Sequence, residues 1–73
     1  MKKLGAYYAD SDNCSGDMPP HLVDLARAAF LTAVGEPRRA LGVVEAHEND
    51  DGGLVFDIYW YANGEKQHLV IVS

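Results

Sequence analysis

Apolar and polar positions alternate through the last third of the chain and recur with helical spacing through its middle. Leu54 to Ala62 and Glu65 to Val72 read as strands, being rich in Val, Ile, Tyr, Phe and Trp, and Asn63-Gly64 separates them. Asn-Gly between two such runs predicts a two-residue type I′ turn, because both central residues need positive φ. A two-residue turn sets the register. Tyr61 then faces Lys66, Tyr59 faces His68, Asp57 faces Val70 and Phe56 faces Ile71. Side chains alternate across a strand, so Phe56, Ile58, Trp60, Leu69 and Ile71 share one face, the core face.

A third strand, about 40–48, precedes this hairpin. A two-residue Asp51-Gly52 turn would bring Glu45 and His47 onto the core face. A three-residue loop, Asp50-Asp51-Gly52 with Gly52 left-handed, shifts the register by one. Ala46 then faces Phe56, Val44 faces Ile58, and Gly42 lies beside Trp60. The apolar pattern selects this second arrangement.

Upstream, Pro19-Pro20 marks a helix start, where a missing N–H costs nothing, and the spacing predicts a helix from about Pro20 to Val34. Leu22, Val23, Leu25, Ala26, Ala29, Phe30, Ala33 and Val34 fall within about half the circumference. Asp24, Arg27, Ala28 and Leu31 lie opposite, leaving Leu31 exposed. Gly35 and Pro37 end the helix, and Glu36-Pro37-Arg38-Arg39 is a connector. Lys3 to Ala9 reads as a first strand and Asp10 to Asp17 as a loop. The expected architecture is one α+β domain, β-α-β-β-β, with a four-stranded, mostly antiparallel sheet and one helix on one face. The first strand is expected at an edge, parallel to a neighbour that is either the second or the fourth strand.

One helix cannot cover both faces. The face turned away from it carries Leu41, Val43, Glu45 and His47, then Val55, Asp57, Tyr59 and Tyr61, then Lys66, His68, Val70 and Val72. Tyrosine, with an apolar ring and a polar hydroxyl, suits an interface; the same residues also suit ordinary cross-strand pairing on a wet face. Glu45 and Asp57 sit opposite each other. Such a pair serves to dock Arg or Lys, to discourage edge pairing, or, with His47 and His68 nearby, to bind a cation or do acid–base work.

Charge gives this face a direction. The net charge is −5. Residues 1–39 are neutral overall, so the whole excess lies in residues 40–73, on Glu45, Glu48, Asp50, Asp51, Asp57 and Glu65 against Lys66. Direct nucleic-acid binding is disfavoured, since it needs a basic stripe, and a protein partner with a basic surface is favoured. Cys14 is the one cysteine, which excludes an internal disulfide and fits a reducing, cytoplasmic setting. Met1-Lys2-Lys3 leads into Gly5-Ala6-Tyr7-Tyr8 rather than a long apolar run, so neither a secretory leader nor a membrane span is expected.

Other chemistry finds little support. The loop from Asp10 fails as a calcium loop: its third ligand position is Cys14, its glycine is displaced to Gly16, and its twelfth position is His21. Acidic neighbours disfavour Cys14 as a nucleophile. No phosphate loop, nucleophile elbow or zinc spacing is present, and no cofactor is implied. A chain of 73 residues has little room for a deep pocket.

In size and charge the chain resembles the small acidic inhibitors of mobile elements such as phages: anti-CRISPR proteins, antitoxins and immunity proteins. That resemblance is one of class alone. It implies a non-enzymatic binding protein that blocks a basic surface of a nucleic-acid-handling protein. Glu45, Asp57, Tyr59, Tyr61 and His68 would make the contact, with Glu48, Asp50 and Asp51 supplying attraction at a distance. One alternative is a homodimer packed through the open sheet face. Another is a small metal protein or enzyme using Glu45, Asp57, His47 and His68.

Overall fold

In the computed structural model, which describes residues 2–16, 18–35 and 41–72, six elements follow one another. They are β1 (Lys2–Tyr8), β2 (Asn13–Gly16), α1 (Pro20–Val34), β3 (Gly42–Glu48), β4 (Leu54–Ala62) and β5 (Glu65–Val72). The strands form one antiparallel sheet in the order β2-β1-β3-β4-β5, with α1 packed on one face. The connector Glu36-Pro37-Arg38-Arg39, the first residue of the expected third strand, Ala40, and Asp17 lie outside the described residues.

Both C-terminal hairpins take the expected registers. Asn63 and Gly64 have φ 55° and 79°, the positive angles of a type I′ turn, and β4 pairs β5 from Val55 with Val72 to Ala62 with Glu65. Gly52 has φ 86°, and β3 pairs β4 with Ala46 beside Phe56, Val44 beside Ile58 and Glu45 beside Asp57. The helix spans the expected residues. The Gly35 N–H closes it by donating to the Leu31 carbonyl at 2.8 Å.

The first strand departs from expectation. The loop after it contains a short strand, β2, that pairs antiparallel with β1 from Tyr8 with Asn13 to Gly5 with Gly16. The sheet therefore has five strands. β1 lies inside it, not at an edge, and runs antiparallel to its neighbour β3. The crossover principle applies one strand later than expected. Both β2 and β3 run antiparallel to β1, so they are parallel to each other, and α1 carries the chain from one to the other across β1. A polar, wholly exposed edge strand, Asn13-Cys14-Ser15-Gly16, shows no apolar alternation and so reads as loop.

Leu22, Ala26 and Phe30, spaced four apart on α1, meet Tyr7, Val44, Ala46, Phe56 and Ile58 in the core. Leu25 does not join them. It stands 47% exposed at the margin of the helix stripe, and Leu31 is exposed as expected. Gly42 is needed for closeness to α1 more than for Trp60: a Cβ there would collide with the Phe30 ring and the Tyr59 carbonyl oxygen. The helix packs chiefly on β3 and β4. Leu69, although it shares the face of Ile58, is left 42% exposed on the edge strand β5.

A polar latch ties the β1–β2 turn to the helix. The hydroxyl of Tyr7, whose ring is buried, donates to Asp12 Oδ1 at 2.6 Å, Arg27 Nε donates to the same oxygen at 3.1 Å, and Arg27 Nη1 donates to Asp24 at 2.9 Å. Burial raises the Tyr7 pKa above its ordinary value, and the bond to the Asp12 carboxylate adds to that. The bonds from Tyr7 and Arg27 hold the Asp12 carboxyl below its ordinary range.

Candidate functional site

The face turned away from α1 is built in cross-strand rows. Tyr8, Val43, Tyr59 and His68 form one; Ala6, Glu45, Asp57 and Val70 the next; Lys3, His47, Val55 and Val72 a third. Alternation along each strand produces these rows, so the side chains arrive on the face by register alone. The ladder to β4 opens at Gly42, and Leu41 stands beyond it, 62% exposed.

Toward the Asn63-Gly64 end lies an open trough of 590 Å³. Tyr8, Leu41, Val43, Tyr59 and Tyr61 supply its apolar surface, and Asp10, Glu45 and Lys66 its charges. Tyr59 is fixed from two directions. Its ring stacks on His68, with centroids 4.4 Å apart and planes 2° from parallel. The Lys66 ammonium lies 5.1 Å from its centroid, within cation–π range. Desolvation raises the Tyr59 pKa above its ordinary value, and the negative charges of Asp57 and Glu45 push it the same way.

Next to the trough lies a cluster of charged and titratable groups. His47 Nε2 is 3.2 Å from Asp57 Oδ2 and 3.5 Å from Glu45 Oε1. His68 Nε2 donates to the other Asp57 oxygen, Oδ1, at 3.1 Å, and Lys3 Nζ lies 3.5 Å from the other Glu45 oxygen, Oε2. The pair Glu45 and Asp57, with His47 and His68 beside it, is thus assembled as the register requires. Both carboxylates are only partly exposed and already face cationic or imidazole groups, so they shape the field of this surface more than they reach out of it.

No family model, curated protein or solved structure matches this chain.

The remaining expected contact residues do not gather at the trough. Glu48 closes β3 and stands in register with Lys2. Asp51 turns back on its own loop, accepting the Gly53 N–H at 3.2 Å. With Asp50 they sit at the hairpin tip at the opposite end of β4, roughly 26 Å from its far end at about 3.3 Å per residue, in a molecule 36 Å long. None of the three lines the trough. Cys14 lies exposed on β2, two strands from the cluster. The turn residue Asp12, spent on Tyr7 and Arg27, supplies part of the latch instead of a calcium loop.

Three site residues escaped the sequence reading: Lys3, Tyr8 and Asp10. All depend on β1 being antiparallel to β3. The signal was present as charge complementarity, since that orientation alone sets Lys2 beside Glu48 and Lys3 near Glu45. Among the described residues no helix is long and apolar enough to cross a membrane.

Proposed function

We propose that this chain is a non-enzymatic binding protein of the cytoplasm that seats basic side chains of a protein partner in the tyrosine-walled trough, and so covers a basic surface of a nucleic-acid-handling protein. The observation that carries the reading is the trough itself: an open concavity with Tyr8, Tyr59 and Tyr61 on its walls and the carboxylates of Asp10 and Glu45 in its lining. Aromatic rings attract a guanidinium through their faces, and Asp10 and Glu45 complement its charge. The net charge of −5 steers a basic partner from a distance, with Glu48, Asp50 and Asp51 adding to the pull. Glu45 and Asp57 act by their field, Tyr59 and Tyr61 by contact, and His68 by holding the Tyr59 ring. A shallow, open surface suits occlusion of a partner better than sequestering a substrate.

The test is capture of partners from the native host on immobilised wild-type chain and on a Tyr59→Ala/Tyr61→Ala variant, followed by affinity measurement at low and moderate salt. The reading expects a basic partner that the variant loses and whose affinity falls steeply with salt. Equal capture by the variant, or a flat salt dependence, contradicts it.

A second reading, a homodimer packed through the same face, is favoured by Val70 and Val72, which stand 46% and 67% exposed on it along β5. Sedimentation of wild type and Tyr59→Asp separates the two readings: a dimer that Tyr59→Asp breaks supports self-packing.

A further inference from the structure

We infer that Glu45, His47 and Asp57 form a binding site for a divalent first-row transition-metal cation such as Zn2+, bridging β3 and β4 on the open sheet face. Glu45 also borders the trough, but the inference does not rest on the reading of the trough as a binding surface.

Three observations carry it. The first is an unsatisfied atom. His47 Nε2 is buried, and among the described residues it is the only buried side-chain nitrogen or oxygen without a hydrogen-bond partner. Two carboxylate oxygens lie close, yet neither stands where this ring nitrogen would donate. A buried polar atom left unpaired costs on the order of 1–3 kcal/mol, so such an atom calls for a partner.

The second is spacing. One donor atom from each of Glu45, His47 and Asp57 lies within 4.8 Å of the others. Zn–N and Zn–O bonds of about 2.0–2.1 Å, set tetrahedrally, place neighbouring donors about 3.3 Å apart. The distances from His47 Nε2 to Asp57 Oδ2 and Glu45 Oε1 are 3.2 and 3.5 Å, the edges of such a polyhedron.

The third is the outer layer. Each carboxylate is held from outside by its other oxygen, Asp57 Oδ1 by His68 and Glu45 Oε2 by Lys3. These contacts turn Oδ2 and Oε1 toward His47, as the outer partners of metal ligands do. Imidazole with two carboxylates is a borderline donor set suited to Zn2+, Mn2+ or Fe2+ rather than to a soft thiophilic ion. Three protein ligands would leave a fourth tetrahedral position for water. The competing account is that His47, Glu45 and Asp57 pack together without a metal, and the experiment decides between them.

Zn2+ is titrated calorimetrically at pH 7.5 into full-length protein freed of metal by chelator and desalting. Wild type, His47→Gln, His68→Phe and the hairpin-tip control Glu48→Gln are compared, with circular dichroism to check folding. We expect one Zn2+ per chain, loss of binding by at least about tenfold in His47→Gln, about tenfold weakening in His68→Phe, and no change in Glu48→Gln. On wild type, where folding is not in question, the His47 Nε2 nitrogen resonance should move on adding Zn2+. No heat at millimolar Zn2+ overturns the inference and leaves a metal-free cluster. Binding that His47→Gln does not weaken, or that leaves the His47 resonance unmoved, also overturns it and marks an adventitious surface site.

Discussion

Gly42→Ala is a one-carbon change at the junction of helix, core and trough, and it tests the packing that positions the open face. The new Cβ would lie 2.6 Å from the Tyr59 carbonyl oxygen and 2.8 Å from Phe30 Cζ, whereas carbon atoms rest about 3.5–4.0 Å apart. The Phe30 ring would have to retreat by roughly 1 Å to restore that separation. It is 1% exposed and surrounded by the core, so it has nowhere empty to go. Forcing a methyl into such a site costs about 1–3 kcal/mol. Alanine returns about 0.5–1 kcal/mol through lower chain entropy in a strand. The expected net loss is about 1–2 kcal/mol, which in a domain this small lowers Tm by roughly 5–15 °C and the urea midpoint by about 1 M or more at unchanged slope. The assay is urea unfolding followed by Trp60 fluorescence. Phe30→Leu in the same background should recover part of the loss, since it removes the ring but not the carbonyl contact. The two changes should therefore couple favourably by about 0.5 kcal/mol or more. A Gly42→Ala protein as stable as wild type, or strict additivity with Phe30→Leu, would refute the reasoning.

The latch predicts pH dependence at both extremes. The Asp12 pKa is lowered on folding, so its contribution is present above the ordinary carboxyl range and is lost as pH falls through the lowered folded value. The Tyr7 pKa is raised, so its contribution is complete below about pH 10 and is lost as pH rises through the raised value. Tyr7→Phe should flatten both limbs in urea titrations across pH; limbs unchanged by that substitution would contradict the latch. Leu25→Lys, at a helix margin 47% exposed, should change stability by no more than about 0.5 kcal/mol, whereas Phe30→Ala in the core should cost about 3–5 kcal/mol. Comparable losses from the two would show that the helix stripe is placed wrongly.

Much of this structure is legible in the chain, and what is not has two physical causes. Asn63-Gly64 and the Asp50-Asp51-Gly52 loop carry their own geometry, because positive φ is demanded at particular residues, and the alternation of Val44, Ala46, Phe56 and Ile58 then leaves one workable register. The pairing of Glu45 with Asp57, and the nearness of His47 and His68, follow from that register without further information. β2 was hidden because its four residues are polar and exposed, held by backbone pairing rather than by burial. Missing it reversed the direction of β1 and removed Lys3, Tyr8 and Asp10 from the site. Leu25 misled for a simpler reason: a helix packed chiefly on β3 and β4 buries a thinner stripe than its apolar arc suggests.

The central claim is that the trough recognises basic side chains, and nuclear magnetic resonance with a short oligoarginine peptide tests it most directly. Titrated into isotope-labelled protein at low salt, the peptide should shift resonances of Tyr8, Leu41, Tyr59 and Tyr61 together, and the shifts should fade as salt rises toward about 0.5 M, where the Debye length falls well below 8 Å. Shifts concentrated at the Asp50-Asp51 tip or on the helix, or no shifts at all, would contradict the account.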